Sequence, residues 1–460
     1  MRSAKGDTTM TIKNNNSGGG LKRDLGNIQS YATLIGVLIG SGIFVVIGQA
    51  GSVAGPSVPL AYLAMAPIVL CTALAYMVYL STPLGDRPGG AYIHISRTFN
   101  SLYPGFIAVW LKLVAFMGAM GVLSLSFGEY LTFFIPRANP VVVASLLMIF
   151  FYIINLVGVK IYGQIQVIMC FVLLAAVLIL VIPGLRTIDM NNYTPLFPFG
   201  MKGFLSALAP LFMSYAGFEA LAQTAGETKD ARKNLPKVFL KGILLTIAIY
   251  FAMSFVAFGN MPFAELASSK SAMADVAARY LPFGAAAIVA IGAMMAFTTS
   301  INASLMVPPR LLLVLAEDHL VPGILGHIHP RFHTPDVSLT LTTAITLGLL
   351  WTNTLNVILA VTLQAIFLLY IFHSLSMVCL PFVNRPLYNS ALFRPHPLLL
   401  VAGGLFSAFC LIFFSYQMII GTWKLILVWS IIGTLLYGFG RFQATRKGVD
   451  LAGLLADELD

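Results

Sequence analysis

Side chains able to do chemistry are scarce in this chain, so the few that lie deep in apolar sequence ask for a reason. Glu219 is the one acid near the middle of a long apolar run, within Ser214-Tyr215-Ala216-Gly217-Phe218-Glu219. Lys112 is a deep base in the run that follows Pro104. Ionisable groups at membrane depth are costly and mark functional sites by default. His319, His327, His329 and His333 crowd one segment, but Pro322, Pro330 and Pro335 oppose the helical spacing a metal site wants, so a solvated loop is expected. Cys71, Cys170, Cys379 and Cys410 sit in separate apolar runs without a C-x-x-C spacing, so no disulfide framework or zinc site is expected. The chain carries no G-x-x-x-x-G-K-[ST] loop for a nucleotide-driven pump. A lone deep acid lacks the partner an embedded enzyme needs, so the chain is read as non-enzymatic and without an organic cofactor.

The elements that position these residues follow from composition. Of 460 residues 58% are hydrophobic and 10% charged, with a mean hydropathy of +0.88. Soluble chains carry about 25% charged residues. A cytosolic enzyme, a secreted domain and a disordered scaffold are thereby excluded. Twelve apolar stretches lie near 29–52, 57–81, 104–134, 139–158, 163–184, 201–225, 237–259, 281–315, 337–352, 356–382, 397–418 and 422–441. Each approximates the roughly 20 residues that span a bilayer, although the ninth is short and the eighth is long and contains Pro308-Pro309. No alternation of period two persists, so helices must satisfy the backbone in lipid. Residues 1–24 read as a disordered cytoplasmic tail and 443–460 as a cytoplasmic C-terminal tail.

An even number of spans puts both termini on one side. Of the 27 Lys and Arg, Arg137, Arg186, Lys202, Lys270, Arg279 and Lys424 fall on the opposite side and Lys112 within a span, which leaves the other 20 with the termini. That bias predicts cytoplasmic termini and a multi-pass protein of the cell membrane. The net charge of +10 then belongs beside anionic lipid, and neither nucleic acid nor an obligate protein partner is implied.

Two stretches are poor helix material. The first holds Leu38-Ile39-Gly40-Ser41-Gly42, and the sixth holds Pro210, Gly217 and the Glu219 carboxylate. Glycines in mid-span either break a helix or let helices pack closely. The two sites are five spans apart, an odd number, so the second unit would be inverted on the first. An unwound turn frees amides, which attract a carboxylate at a half-helix N-terminus, and carbonyls, which accept from an ammonium group. Together they form a receptor for a zwitterionic amino acid made of backbone.

Four blocks of sequence resemble the amino acid–polyamine–organocation (APC) superfamily of permeases. They are Gly40-Ser41-Gly42-Ile43-Phe44 with Gly55-Pro56; Pro88-Gly89-Gly90-Ala91-Tyr92 through Arg97; Ser214 to Glu219 followed by Glu227 to Pro236; and Ser300-Ile301-Asn302-Ala303-Ser304 through Arg310 to Asp318. The resemblance covers about 50–320. It implies an all-α polytopic fold of about twelve helices. Helices 1–10 would form a leucine-transporter-type 5+5 inverted repeat over 25–384, with helices 1 and 6 discontinuous and helices 11 and 12 appended over 385–442. It further implies a secondary amino acid transporter, of neutral substrates because a polycation needs more than one deep acid; a cationic amino acid, polyamine or amine permease is the alternative. The substrate carboxylate would meet Gly40, Ser41 and Gly42. Its ammonium would meet oxygens near Leu38 and around Met213, Ser214, Ala216 and Gly217, with Met213 in place of the usual bulky cap and Phe212 adjacent.

Glu219 falls on the family's recurring acid after the break, as a coupling group or as a structural carboxylate capping freed amides. Lys112 either snorkels to the surface, faces the inner vestibule or pairs with a carboxylate. The coupling ion is H+ or Na+. Relatives with a coupling lysine in span 5 would place it at Leu173, where it is missing. Sodium-coupled members of the fold imply a site from Gly36, Ile39, Ala296, Thr299 and Ser300. No other metal is implied.

Overall fold

The computed structural model describes residues 21–449 apart from 41, 133, 270, 271, 283, 353 and 354. Ser41, residues 1–20 of the N-terminal tail and residues 450–460 of the C-terminal tail lie outside the described residues. Among the described residues the regular structure is helical, with one isolated bridge between Leu25 and Thr228. There, 11 helices are long and apolar enough to cross a membrane, and a shorter apolar helix, Asp336–Leu350, falls at the ninth stretch. The all-α, multi-pass architecture expected from composition is the one observed.

Numbered in chain order, span 1 is Asn27–Leu38 and, after a break, Ile47–Ala54. Span 2 is Val58–Leu80, span 3 Leu102–Leu131, span 4 Pro140–Val157 and span 5 Val159–Gly184. Span 6 is Gly200–Tyr215 and, after a second break, Ala220–Gln223, and span 7 is Ala231–Asn260. Span 8 is Ala285–Leu305 continued by Val307–Glu317, span 9 Asp336–Leu350 and span 10 Leu355–Val383. Pro308 and Pro309 explain the joint in span 8. The helix stops at Leu305 and restarts at Val307, so both prolines occupy a first turn, where a missing N–H costs no bond.

Spans 11 and 12, Pro397–Tyr416 and Ile419–Arg446, follow one another directly. Ser407 of span 11 bonds Thr72 of span 2 and Ser374 of span 10. Tyr437 of span 12 packs on Tyr103 and Phe106, which open span 3 on the face where span 2 closes, so the chain turns back on itself. Trp110 and Trp429 lock the returning half in place. Their rings stack at 4.5 Å, and each indole N–H donates to the other's carbonyl, at 2.8 and 2.9 Å. Gly433 permits this approach, since a Cβ there would lie 2.4 Å from the Trp110 ring.

On the face rich in lysine and arginine, the sequence blocks quoted above interlock. Arg310 of span 8 donates from Nε and Nη2 to the two oxygens of Glu227, at 2.8 and 2.9 Å, with both side chains buried. Arg97 donates to Asp318 at 3.1 Å, and the Tyr92 hydroxyl donates to the same carboxylate. Gly89 N–H donates to Gln223 Oε1 at 3.0 Å, and a Cβ on Gly90 would meet Gln223 Nε2 at 2.5 Å. The short extended segment at Leu25 closes the arrangement through its N–H to Glu227 O and its carbonyl to Lys229 N–H. A buried ion pair adds little net stability, but losing one partner strands the other charge. Glu227→Gln is therefore expected to destabilise the protein by about 3–5 kcal/mol. Glu227→Gln with Arg310→Met should recover most of that loss in thermal unfolding of detergent-purified protein.

Candidate functional site

Both suspect segments are breaks. In span 1 the α-helix ends at Leu38, and Gly40 N–H turns back to Leu38 O at 2.8 Å. A wide π-type turn, Gly42–Val46, follows before the helix resumes. In span 6 the helix ends at Tyr215, Ala216 is extended and Gly217 has φ +103°, a region that favours glycine. A Cβ on Gly42 would lie 2.4 Å from Ser214 Cα, so the two breaks touch.

The backbone groups freed there are met by hydroxyls from other helices. Thr299 Oγ1 donates to Gly36 O at 3.0 Å and to Ala296 O at 2.9 Å, and Ser300 Oγ donates to Gly36 O at 2.8 Å. Tyr250 of span 7 donates to Leu38 O and, at 2.6 Å, to Ser214 O, and so joins one break to the other. Tyr62 of span 2 donates to Gly42 O at 3.2 Å and lies 3.4 Å from Ser214 Oγ. Tyr370 of span 10 accepts from Gly217 N–H at 3.2 Å and donates to Glu219 Oε2. These tyrosines are absent from the sequence reading, because an apolar span with a tyrosine does not say which carbonyl its hydroxyl will meet.

One cavity of about 70 Å³ lies between the breaks. Of the expected residues, Leu38, Gly40, Gly42, Met213, Ser214, Ala216, Gly217 and Ser300 line it. Ser41 is outside the described residues. The opposite wall comes from one face of span 3, Ala115, Phe116, Ala119, Val122 and Leu123, and from Ile366 of span 10. Met213 borders the cavity, whereas Phe212 packs away from it against Phe367 and Phe414. Leu38 borders it without a spare backbone oxygen: its carbonyl accepts from Gly40 N–H and from Tyr250.

Gly36, Ala296, Thr299 and Ser300 do come together, but their oxygens are bonded to one another. Ile39 spends its N–H on Ile35 O, within its own helix. Gln166 of span 5 fills the adjoining space. Its Nε2 donates to Ala32 O at 3.2 Å and Thr299 O at 3.1 Å, and it would sit 2.5 Å from a Cβ on Gly36. Asn302 Nδ2 donates to Gln166 Oε1 at 2.8 Å, and Asn155 Nδ2 to Asn302 Oδ1 at 2.9 Å. From span 5, the Gln166 amide thus bonds both span 1 and span 8.

Glu219 is fully buried and touches the freed amide of Gly217 only through Tyr370, not directly as a cap. Lys112 is fully buried, which overturns the snorkelling alternative; its Nζ lies 5.3 Å from the Phe116 ring centroid and within electrostatic reach of Glu219. His94 and His373 face each other below this pair, Nδ1 to Nε2 at 3.0 Å. Burial, then His373 and Lys112, hold His94 well below the ordinary histidine range. Of the loop histidines, His327 bonds Asp336 at 2.7 Å, and His329 Nδ1 accepts from Arg331 and Phe332 N–H.

A multi-pass helical protein with two interrupted helices around a central cavity has the build of a membrane transporter. The chain matches the amino acid permease family over residues 25–437 and belongs to it, within the APC superfamily. It is 28% identical over 340 residues to a branched-chain amino acid permease of Bacillus subtilis (69% of this chain, 72% of the relative). It is 26% identical over 437 residues to a methylthioribose transporter of the same organism (90% and 91%). It is 24% identical over 403 residues to that organism's serine/threonine exchanger (84% and 90%).

Removing the Tyr250 hydroxyl leaves Ser214 O without its buried donor and takes one of two donors from Leu38 O. Tyr250→Phe is expected to cost about 1–3 kcal/mol of stability. The check is thermal unfolding of purified protein, with Tyr31→Phe at a less buried position as the control.

Proposed function

We propose that this permease carries neutral, aliphatic amino acids by alternating access. The observation that carries the reading is the cavity wall. It is backbone and hydroxyl where the breaks meet, aliphatic or aromatic elsewhere, and includes no charged side chain among the described residues. The Gly42 amide, which begins the wide turn leading into the second half of span 1, suits a carboxylate. The carbonyls of Met213, Ser214 and Ala216 suit an ammonium, and Ser214 O keeps a lone pair beside its bond from Tyr250. Val122, Leu123 and Ile366 then face the side chain. A cationic amino acid or polyamine would want a carboxylate in this wall, and Glu219 stands behind Tyr370 instead. The branched-chain permease among the relatives supports the same class.

Transport on this reading is sodium-independent. A sodium ion would have to displace the bonds from Thr299 and Ser300 to Gly36 and move the Gln166 amide. Glu219, linked through Tyr370 to the span 6 break, is the group best placed for proton coupling, with Lys112 as its counter-charge. The 5+5 inverted repeat, cytoplasmic termini and a plasma-membrane location complete the proposal. They rest on the odd spacing of the breaks and on the lysine–arginine bias. Purified protein in liposomes should take up leucine, isoleucine or valine saturably, equally with sodium or choline at fixed pH. Gly42→Leu should reduce uptake to background, because its side chain would enter Ser214. Movement of putrescine-like cations alone would overturn the substrate class, and loss of uptake in choline would overturn sodium independence.

A further inference from the structure

A second cavity lies on the lysine- and arginine-rich face, away from the central site. It is a groove of about 430 Å³ where the end of span 2, the first turns of span 7 and the segment after span 10 meet. Its floor is apolar: Met77, Pro236, Leu240, Leu392 and Phe393. Its rim is basic: Arg232, Lys233 and Lys237.

The rim is built, and its charge is unbalanced. Arg232 donates to Ser81 O at 3.4 Å and Ser390 O at 3.2 Å, which fixes its guanidinium between span 2 and the segment after span 10. Ser81 O also accepts from Leu392 N–H at 3.1 Å, which holds the far wall. Lys233, Lys237 and Lys241 recur every fourth residue and form one exposed stripe down span 7. Among the described residues none of these three lysines is paired with a carboxylate. Asp230 stands at the N-cap of span 7 without a side-chain capping bond, and the first turn itself holds no acid, so Arg232, Lys233 and Lys237 outnumber the one carboxylate at the helix's positive end. Below the rim the surface is aliphatic: Leu240, Leu244 and Leu245 are 41%, 48% and 45% exposed.

We propose that this groove holds an anionic phospholipid. Its phosphate sits against Lys233 and Lys237, and one acyl chain enters over Leu240, Leu392 and Phe393. Charge complementarity selects the occupant: a zwitterionic lipid leaves the rim's excess unneutralised, and a free phosphate leaves the apolar floor uncovered. The groove lies at the start of a span, the depth at which a headgroup changes to acyl chain. It lies on the face that the charge bias assigns to the cytoplasm.

Native mass spectrometry and thermal unfolding of the full-length protein test this, neither of which depends on what the permease carries. Detergent-purified protein is titrated with phosphatidylglycerol, phosphatidylcholine or inorganic phosphate. Phosphatidylglycerol alone should be retained and raise the melting temperature. In Lys233→Gln/Lys237→Gln its binding should weaken roughly ten- to thirtyfold, the loss expected of two basic groups at a membrane surface. Melting in phosphatidylcholine should be unchanged, because both side chains are exposed. Lys233→Arg/Lys237→Arg should restore binding. Equal phosphatidylglycerol binding by wild type and the glutamine variant would overturn the proposal. So would no phosphatidylglycerol preference in the wild type, or an equal shift with inorganic phosphate.

Discussion

An interrupted helix inside a bilayer leaves amide and carbonyl groups that water cannot reach, and each such group costs free energy until it finds a partner. Much of this structure answers that constraint. The carbonyls at the end of the first half of span 1 are met by Thr299, Ser300 and Tyr250, the Ser214 carbonyl by Tyr250 again, and the Gly217 amide by Tyr370. Hydroxyls suit the task because each can donate and accept while carrying no charge to be desolvated. Both breaks can therefore exist in a chain with so few ionisable residues. Spans 2, 7, 8 and 10 must stand where they do for these hydroxyls to arrive.

The scarcity of charge has a second expression on the basic face. There the protein uses buried ion pairs, Glu227 with Arg310 and Arg97 with Asp318, and each joins segments distant in sequence. The glycines of Pro88-Gly89-Gly90 serve the same junction by letting Gln223 approach the backbone. Blocks that look separate in the sequence are thus neighbours. The loop after span 2, the segment after span 6 and the end of span 8 form one contact region below the cavity.

Much of this was legible in the sequence, for identifiable reasons. Apolar runs announce spans through length alone, and glycine with proline at mid-depth announces a break through backbone cost, so the interruptions at Gly40–Gly42 and Gly217 could be read directly. What was not legible depends on rotation about a helix axis. Span 3 contributes Ala115, Ala119 and Leu123 to the cavity, yet uniformly apolar sequence gives no sign of which stripe faces inward. Gln166, whose amide bonds spans 1 and 8, was not singled out. A polar amide in an otherwise apolar span was the signal that could have found it. His94 and His373 meet only because distant segments pack side by side, and pairing of that kind leaves no local trace.

The bonds around the breaks and those on the basic face differ in what it takes to undo them. Ser300 on Gly36 is a neutral contact, and parting it strands no charge. Arg310 on Glu227 strands a charge when it parts. Span 8 therefore grips its neighbours unevenly along its length, with a slippery upper bearing at Thr299–Ser300 and a stiff anchor at Arg310, about three helical turns below. Parting span 8 from span 1 beside the cavity breaks neutral bonds alone, whereas parting it from the segment after span 6 breaks an ion pair, so span 8 is built as a lever with its catch at the tip.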